Sequence, residues 1–330
     1  MLEIHLIAEN VRESDGRTRY CFTDGKGNES PNLRVHPGDR VIIHLKNGMT
    51  DLGGDKGTAS AMPMPMTEAS GDLCTKSGAM NLISTNLHFH GTTIPPTCHQ
   101  DDVLKTSVQP GEEFEYRFRI PEDEPPGLYW YHPHIHGFSK PQVLGGASGA
   151  LIVEGIERAK KEVTGMPERV LIIRDEDLMN PNAPPSKSEP AVPHFLLDRD
   201  GDAANNGTGF GKPAKDLSIN YVPVPYPDYP PAKIEMKPGE RQLWRVLNAS
   251  AITYLNLEFL VNRAPQPLGL VAMDGVPIGE YGAETPGDNI NWQTHLGIPP
   301  GARVEFIAQA PPEGGNGLLV TRTVDTGPGG

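Results

Sequence analysis

Cysteine is scarce in this chain, with Cys21, Cys74 and Cys98 the only three in 330 residues. No CxxC pair occurs, so neither a disulfide-stapled mini-scaffold nor a paired-cysteine zinc module fits. Basic charge is also short: 29 Lys and Arg stand against 42 Asp and Glu, a net charge of −13. That argues against a nucleic-acid partner, since binding phosphates requires a basic face. No apolar run approaches the roughly 18 residues of a membrane-spanning helix. No leader segment is visible, because Met1 runs directly into the alternating Leu2-Glu3-Ile4-His5-Leu6-Ile7. Glycine and proline, by contrast, are abundant at 37 and 34 residues. Without a repeat period, that content disfavours long helices and suits many short strands joined by tight turns.

The strand signals are distributed along the whole chain. Arg40–Leu45 follows a Pro37-Gly38-Asp39 turn, and Phe114–Ile120 follows Pro110-Gly111 with strict polar–apolar alternation. Gly127–His132 and Ala147–Glu154 read as two more strands. Residues 155–168, charged and interrupted by Gly and Pro, read as a linker or a single helical turn. A second series then begins with Arg169–Arg174, Gln242–Leu247 after Lys237-Pro238-Gly239-Glu240, Leu268–Met273 and Ala302–Ala308. The same plan, a Pro-Gly turn feeding a strand, occurs in both halves. The expectation is therefore all-β: two β-sandwich domains of one kind, 1–157 and 158–330. Residues 51–80 and 198–216 read as irregular loops. The acidic run Asp198-Arg199-Asp200-Gly201-Asp202 lacks the spacing of a calcium-binding loop. Both termini look cut, as in a fragment of a longer chain.

Five of the eleven histidines fall into two clusters, Asn86-Leu87-His88-Phe89-His90-Gly91 and Trp130-Tyr131-His132-Pro133-His134-Ile135-His136-Gly137. In an extended chain, residues i and i+2 share a face. His88 and His90 then point one way, as do His132 and His134. Two neighbouring strands carrying such pairs would present four imidazoles to one metal position, and imidazole suits copper, zinc, iron and nickel.

HFHG followed by WYHPHIHG resembles the first cupredoxin domain of the multicopper oxidases, the laccase-like family. Gln109-Pro110-Gly111 and the FEYRF segment lie between them as in that family. The later segments Leu243–Ser250 and Ala272–Pro277 resemble its middle domain. The resemblance implies two cupredoxin-like Greek-key β-sandwiches. It also implies copper as cofactor, with His88 on the type 2 ion and His90, His132 and His134 on the type 3 pair. His136 departs from the commoner pattern and reads as lying outside the ligand set. By the same resemblance Asp101 is the carboxylate that helps deliver protons to oxygen. Such a group is needed chemically, because reducing oxygen to water consumes four protons.

The family's remaining features are missing from the sequence. Its electron-entry copper uses an HCH motif, and none occurs here. Cys98-His99 is the only adjacent Cys–His pair and lies in the wrong place. The second half holds only His194 and His295, with no HxH. The reading is therefore the amino-terminal part of a copper oxidase with half of the trinuclear ligands. Its partners would be a carboxy-terminal cupredoxin domain, oxygen and a reducing substrate, and the intact protein would work in the periplasm or outside the cell. Two alternatives remain: a cupredoxin-like structural or binding protein, and a two-domain copper nitrite reductase, which would need a Cys–His copper motif. Met62, Met64 and Met66 offer soft thioethers in a Pro-stiffened loop. Cys74 and Cys98 flank the first HxH segment and are candidates for a disulfide, with Cys21 unpaired. The sequons at Asn28, Asn206 and Asn248 carry no weight by themselves.

Overall fold

The computed structural model describes residues 1–53, 74, 80–184, 213–279 and 290–322. The Met62–Met66 loop, His194, the Asp198–Asp202 run and the Asn206 sequon lie outside the described residues. The strands of the first half are β1 (Leu2–Arg12), β2 (Thr18–Asp24), β3 (Leu33–Val35), β4 (Arg40–Asn47), β5 (His88–His90), β6 (Glu113–Arg119), β7 (Gly127–His132) and β8 (Gly149–Val153). Those of the second are β9 (Glu168–Glu176), β10 (Asp216–Ile219), β11 (Val222–Val224), β12 (Arg241–Asn248), β13 (Leu255–Val261), β14 (Ala264–Gln266), β15 (Leu268–Met273), β16 (Val276–Pro277), β17 (Asn291–Gln293), β18 (Leu296–Ile298), β19 (Arg303–Gln309) and β20 (Gly317–Thr321). Among the described residues, α-helix is confined to α1 (Ser139–Leu144) and α2 (Ile156–Ala159).

The chain divides into two compact units. One is Met1–Lys161 with Asp274–Pro277, and the other is Glu162–Met273 with Ile278–Gly330. In the first, one sheet has the order β2-β1-β4-β6 and the other β3-β8-β7-β5. β1 runs parallel to β4 and β3 parallel to β8, so these neighbours are joined by long crossovers rather than hairpins. In the second unit, β10-β9-β12-β19 repeats the first sheet's plan. β9 lies parallel to β12, and β12 antiparallel to β19. The facing sheet is built on β14-β13-β18, with β20 also on β13. These are two cupredoxin-like Greek-key β-sandwiches.

The alternation in the sequence is the cause of this layering. In β4, Val41, Ile43 and Leu45 point inward while their neighbours face out. In β6, Phe114, Tyr116 and Phe118 do the same. They close a core with Leu6, Phe22 and Leu151. Trp244, Val246, Leu257 and Phe306 centre the second core.

The turns before β4, β6 and β12 share one chemistry. At Pro37-Gly38-Asp39, Pro110-Gly111-Glu112 and Pro238-Gly239-Glu240 the glycine φ is 82°, 83° and 72°. Proline pre-sets the first turn position and only glycine enters the second without strain, the pattern of a type II turn. In each, the acidic side chain then accepts the N–H of the residue before the proline: His36, Gln109 and Lys237 at 2.8, 2.9 and 2.8 Å.

The ends of β4 and β12 also match. Fully buried Asn47 donates through Nδ2 to the carbonyls of Ile83 and Val108, and its Oδ1 accepts the Met49 N–H. Fully buried Asn248 donates to Thr253 and Ile298 and accepts from Ser250. One amide at the strand end thus hydrogen-bonds three backbone groups at once.

Several elements carried no usable signal in the sequence. β13 buries Leu255, Leu257 and Phe259 in the second core, yet no Pro-Gly turn precedes it. β2 and β11 are edge strands, and β10 is a four-residue strand between β9 and β11 that buries the polar Asp216 and Ser218. α1 contains Pro141 near its start, where the missing N–H costs nothing.

Asn47→Ala removes three side-chain hydrogen bonds from the first core, leaving the Ile83 carbonyl and the Met49 N–H without these partners while Val108 keeps the Thr85 N–H. Denaturant unfolding should show a loss of roughly 2–4 kcal/mol, and Asn248→Ala should do the same in the second unit. A loss below about 1 kcal/mol for both would show that these amides are not structural keystones.

Candidate metal centre

β5 and β7 pair antiparallel, with His88 opposite His132 and His90 opposite Trp130. Directly opposed residues share a face of the sheet. His88, His90, Trp130 and His132 therefore stand on one side. Phe89, between the histidines, turns the other way and packs on Phe118 and Tyr116 in the core, with centroid distances of 4.6 and 5.8 Å. The alternation that anchors Phe89 is what presents the imidazoles.

The four histidines named from the sequence converge. Ring centroids of His88 lie 5.5 Å from His90, 5.2 Å from His132 and 5.3 Å from His134. His90 Nδ1 is 3.4 Å from His132 Nε2. One ligand atom from each of His88, His90 and His132 falls within 4.8 Å of the others. His134 arrives differently. It lies past the end of β7, after Pro133, and is set by its backbone N–H donating to Asn86 Oδ1 at 2.7 Å. Asn86 is itself fully buried and donates to the Thr106 carbonyl at 3.0 Å. His136 is exposed; its backbone N–H donates to Met80 Sδ at 3.3 Å.

Asp101 closes on the same group. Its Oδ2 lies 2.9 Å from His88 Nδ1, and its Oδ1 accepts the Phe89 N–H at 2.9 Å. An acceptor-only carboxylate places the proton on Nδ1, so the His88 lone pair sits on Nε2. This arrangement is the usual outer support of a metal-binding imidazole. Burial, reinforced by the neighbouring His88, holds the His132 imidazole well below its ordinary 6.5. His132 therefore stays neutral, with a lone pair to offer, in mildly acidic solution. The Trp130 ring stacks on His132 at 4.1 Å and lies 5.1 Å from His90, forming an apolar floor that limits water access.

Two residues here escaped sequence reasoning, Asn86 and Trp130. Both lie on the HxH faces, Asn86 two residues before His88 and Trp130 two before His132. The period-2 rule applied outward from the histidines would have found them. The proposed disulfide is present: Cys74 and Cys98 are bonded with Cα atoms 5.6 Å apart. Cys21 is a free, buried thiol, pushed up to about 11 by desolvation. His295 is exposed in the second unit.

The fold is cupredoxin-like, and the imidazole group is one that could hold a metal ion. Residues 80–158, the stretch containing both HxH pairs, match the multicopper oxidase family model. The chain is 29% identical over 127 residues to the iron transport multicopper oxidase FET3 of Kluyveromyces lactis, covering 38% of this chain and 14% of that one. It is 31% identical over 137 residues to copper resistance protein A of Pseudomonas syringae pv. tomato, covering 39% and 21%. Among solved structures, a laccase-like CueO from Ochrobactrum sp. superposes with a TM-score of 0.60 at 19% identity, over 98% of this chain and 58% of that one. A multicopper oxidase from Pseudomonas thermotolerans gives 0.58 at 22%, over 94% and 58%. The chain spans little more than half the length of these solved structures.

The depressed His132 gives the metal-free chain a pH signature. The unfolded chain takes up a proton near pH 6.5 and the folded chain does not. The stability due to neutral His132 is thus complete above 6.5 and declines as the pH falls below it, until the folded imidazole itself protonates. Thermal melts should show a midpoint dropping between about pH 6.5 and 5, with a shallower drop in His132→Gln. Equal slopes in the two proteins would contradict the assignment.

Proposed function

We propose that this chain is the amino-terminal part of a multicopper oxidase, an enzyme coupling one-electron oxidation of a reducing substrate to four-electron reduction of oxygen to water. The convergence of His88, His90, His132 and His134 carries the reading. The donor set fits copper: intermediate imidazole nitrogens, one oriented by Asp101, one kept neutral by burial, on a floor closed by Trp130. His88 holds the type 2 ion, and His90, His132 and His134 serve the type 3 pair. Copper bound there supplies the electron transfer to oxygen. Asp101 fixes the Nδ1 proton of His88 and is the acid placed to pass protons toward the cluster. His136 stays outside the ligand set.

Four imidazoles are half of what the family's trinuclear site uses. The other half, and the thiolate copper through which electrons enter, come in this reading from a further cupredoxin domain. The Cys74–Cys98 disulfide fits an oxidising compartment, the periplasm or the cell exterior. A two-domain nitrite reductase is disfavoured, because Cys98, of the only Cys–His pair, is tied up in that disulfide.

Copper(II) titration of the metal-free chain, followed by electron paramagnetic resonance, tests this. Binding should show nitrogen hyperfine structure, and Asp101→Asn should weaken it about 10–100-fold with the fold intact. The chain alone should show no intense blue absorption and consume no oxygen with phenolic donors. Binding indifferent to His88→Ala and His132→Ala would return the protein to the copper-free binding class. Robust oxygen reduction by this chain alone would overturn the half-site.

A further inference from the structure

A second group of soft ligands lies away from the imidazole cluster. Ligand atoms of Cys74, Cys98 and His99 all fall within 4.8 Å of one another. The two sulfurs form the disulfide, which needs no histidine beside it, yet His99 is held there with some care. Its φ is 62°, in the left-handed region that non-glycine residues seldom occupy. Its carbonyl accepts the Arg117 N–H at 2.6 Å. Its ring stacks flat on Phe114, with centroids 5.0 Å apart and planes 9° from parallel. Its Nδ1 donates to the Glu115 carbonyl at 2.6 Å. A carbonyl can only accept, so the proton is on Nδ1 and Nε2 carries the lone pair. An imidazole oriented by a backbone carbonyl in this way is prepared to bind a metal through its other nitrogen. Cys74 is buried, while Cys98 and His99 remain partly exposed and reachable from solvent.

We propose that Cys74, Cys98 and His99 form a redox-gated site for monovalent copper, open only when the disulfide is reduced. The reductant is a dithiol. Its thiolate attacks Sγ of Cys98, the S–S bond breaks, and Cys74 departs as thiolate. The reductant's second thiol, as thiolate, then displaces Cys98, leaving the reductant as a disulfide and the protein with two thiols; two electrons have moved. Copper(I) binds the two sulfurs and His99 Nε2, and the thiol protons pass to solvent. Two soft sulfurs and one imidazole suit three-coordinate copper(I), whereas structural zinc takes four ligands. Among the described residues no fourth His, Cys or carboxylate joins the group. The disulfide and the metal-loaded form are alternative states of the same three residues.

The metal-free chain is reduced with dithiothreitol, desalted without air and titrated with copper(I) against a chromogenic copper(I) chelator. The disulfide form is treated in parallel. The reduced chain should withdraw one more equivalent than the oxidised chain and gain thiolate-to-copper absorption in the ultraviolet. His99→Gln leaves the disulfide intact and should weaken that extra equivalent by about 10–100-fold or more, since losing a ligand costs at least as much as losing its hydrogen-bond partner. Cys98→Ser, with folding verified by circular dichroism, should abolish it, and Cys21→Ser should not. Equal uptake by the reduced and oxidised chains would overturn the proposal. So would an extra equivalent unaffected by His99→Gln, or one lost on Cys21→Ser.

Discussion

The pairing register of β5 against β7 is the constraint on which the imidazole cluster depends. With His88 opposite His132, both strands turn Phe89 and Tyr131 to the core and the imidazoles to the other face. A slip of one residue would exchange those faces, burying imidazoles and exposing aromatics. The hydrophobic drive on Phe89 and Tyr131 therefore holds the ligand geometry as well as the sandwich. Asp101 adds to this by spanning the Phe89 N–H and the His88 ring, so the carboxylate that orients the imidazole also pins its strand.

The surrounding scaffold repeats one solution. Type II Pro-Gly turns capped by their own acid start β4, β6 and β12. A buried asparagine ends β4 and β12. In both units the strand so delimited sits between a parallel and an antiparallel neighbour. Crossover folds leave backbone groups stranded where the chain departs from a sheet, and an amide that satisfies three of them is a compact remedy. The same plan is used for different ends, because only the first unit carries the paired histidines.

Histidine serves two distinct purposes in the first unit. His88 is oriented by a carboxylate within a cluster of imidazoles. His99 is oriented by a backbone carbonyl beside two sulfurs. Both keep the proton on Nδ1 and leave Nε2 to bind, but the neighbours differ in softness and therefore in the metal they favour.

Much of this was legible in the sequence. The strands preceded by Pro-Gly turns, the all-β class and the shared face of His88 and His90 follow from period-2 alternation and turn chemistry, which act over a few residues. Strand β13 was not legible, because its burial comes from partners far along the chain rather than from a local turn signal. Nor was the placement of His134, which depends on Asn86 across a gap that strand alternation cannot bridge. By itself, the sequence determined which residues could face together: HxH spacing in an extended chain puts His88 with His90 by covalent geometry alone. Only the tertiary structure decided that His88 meets His132, that Asp101 fixes the proton on Nδ1, and that His99 stands beside the two sulfurs. Each of these brings together residues separated in sequence, and their registry is set by packing that no local signal encodes.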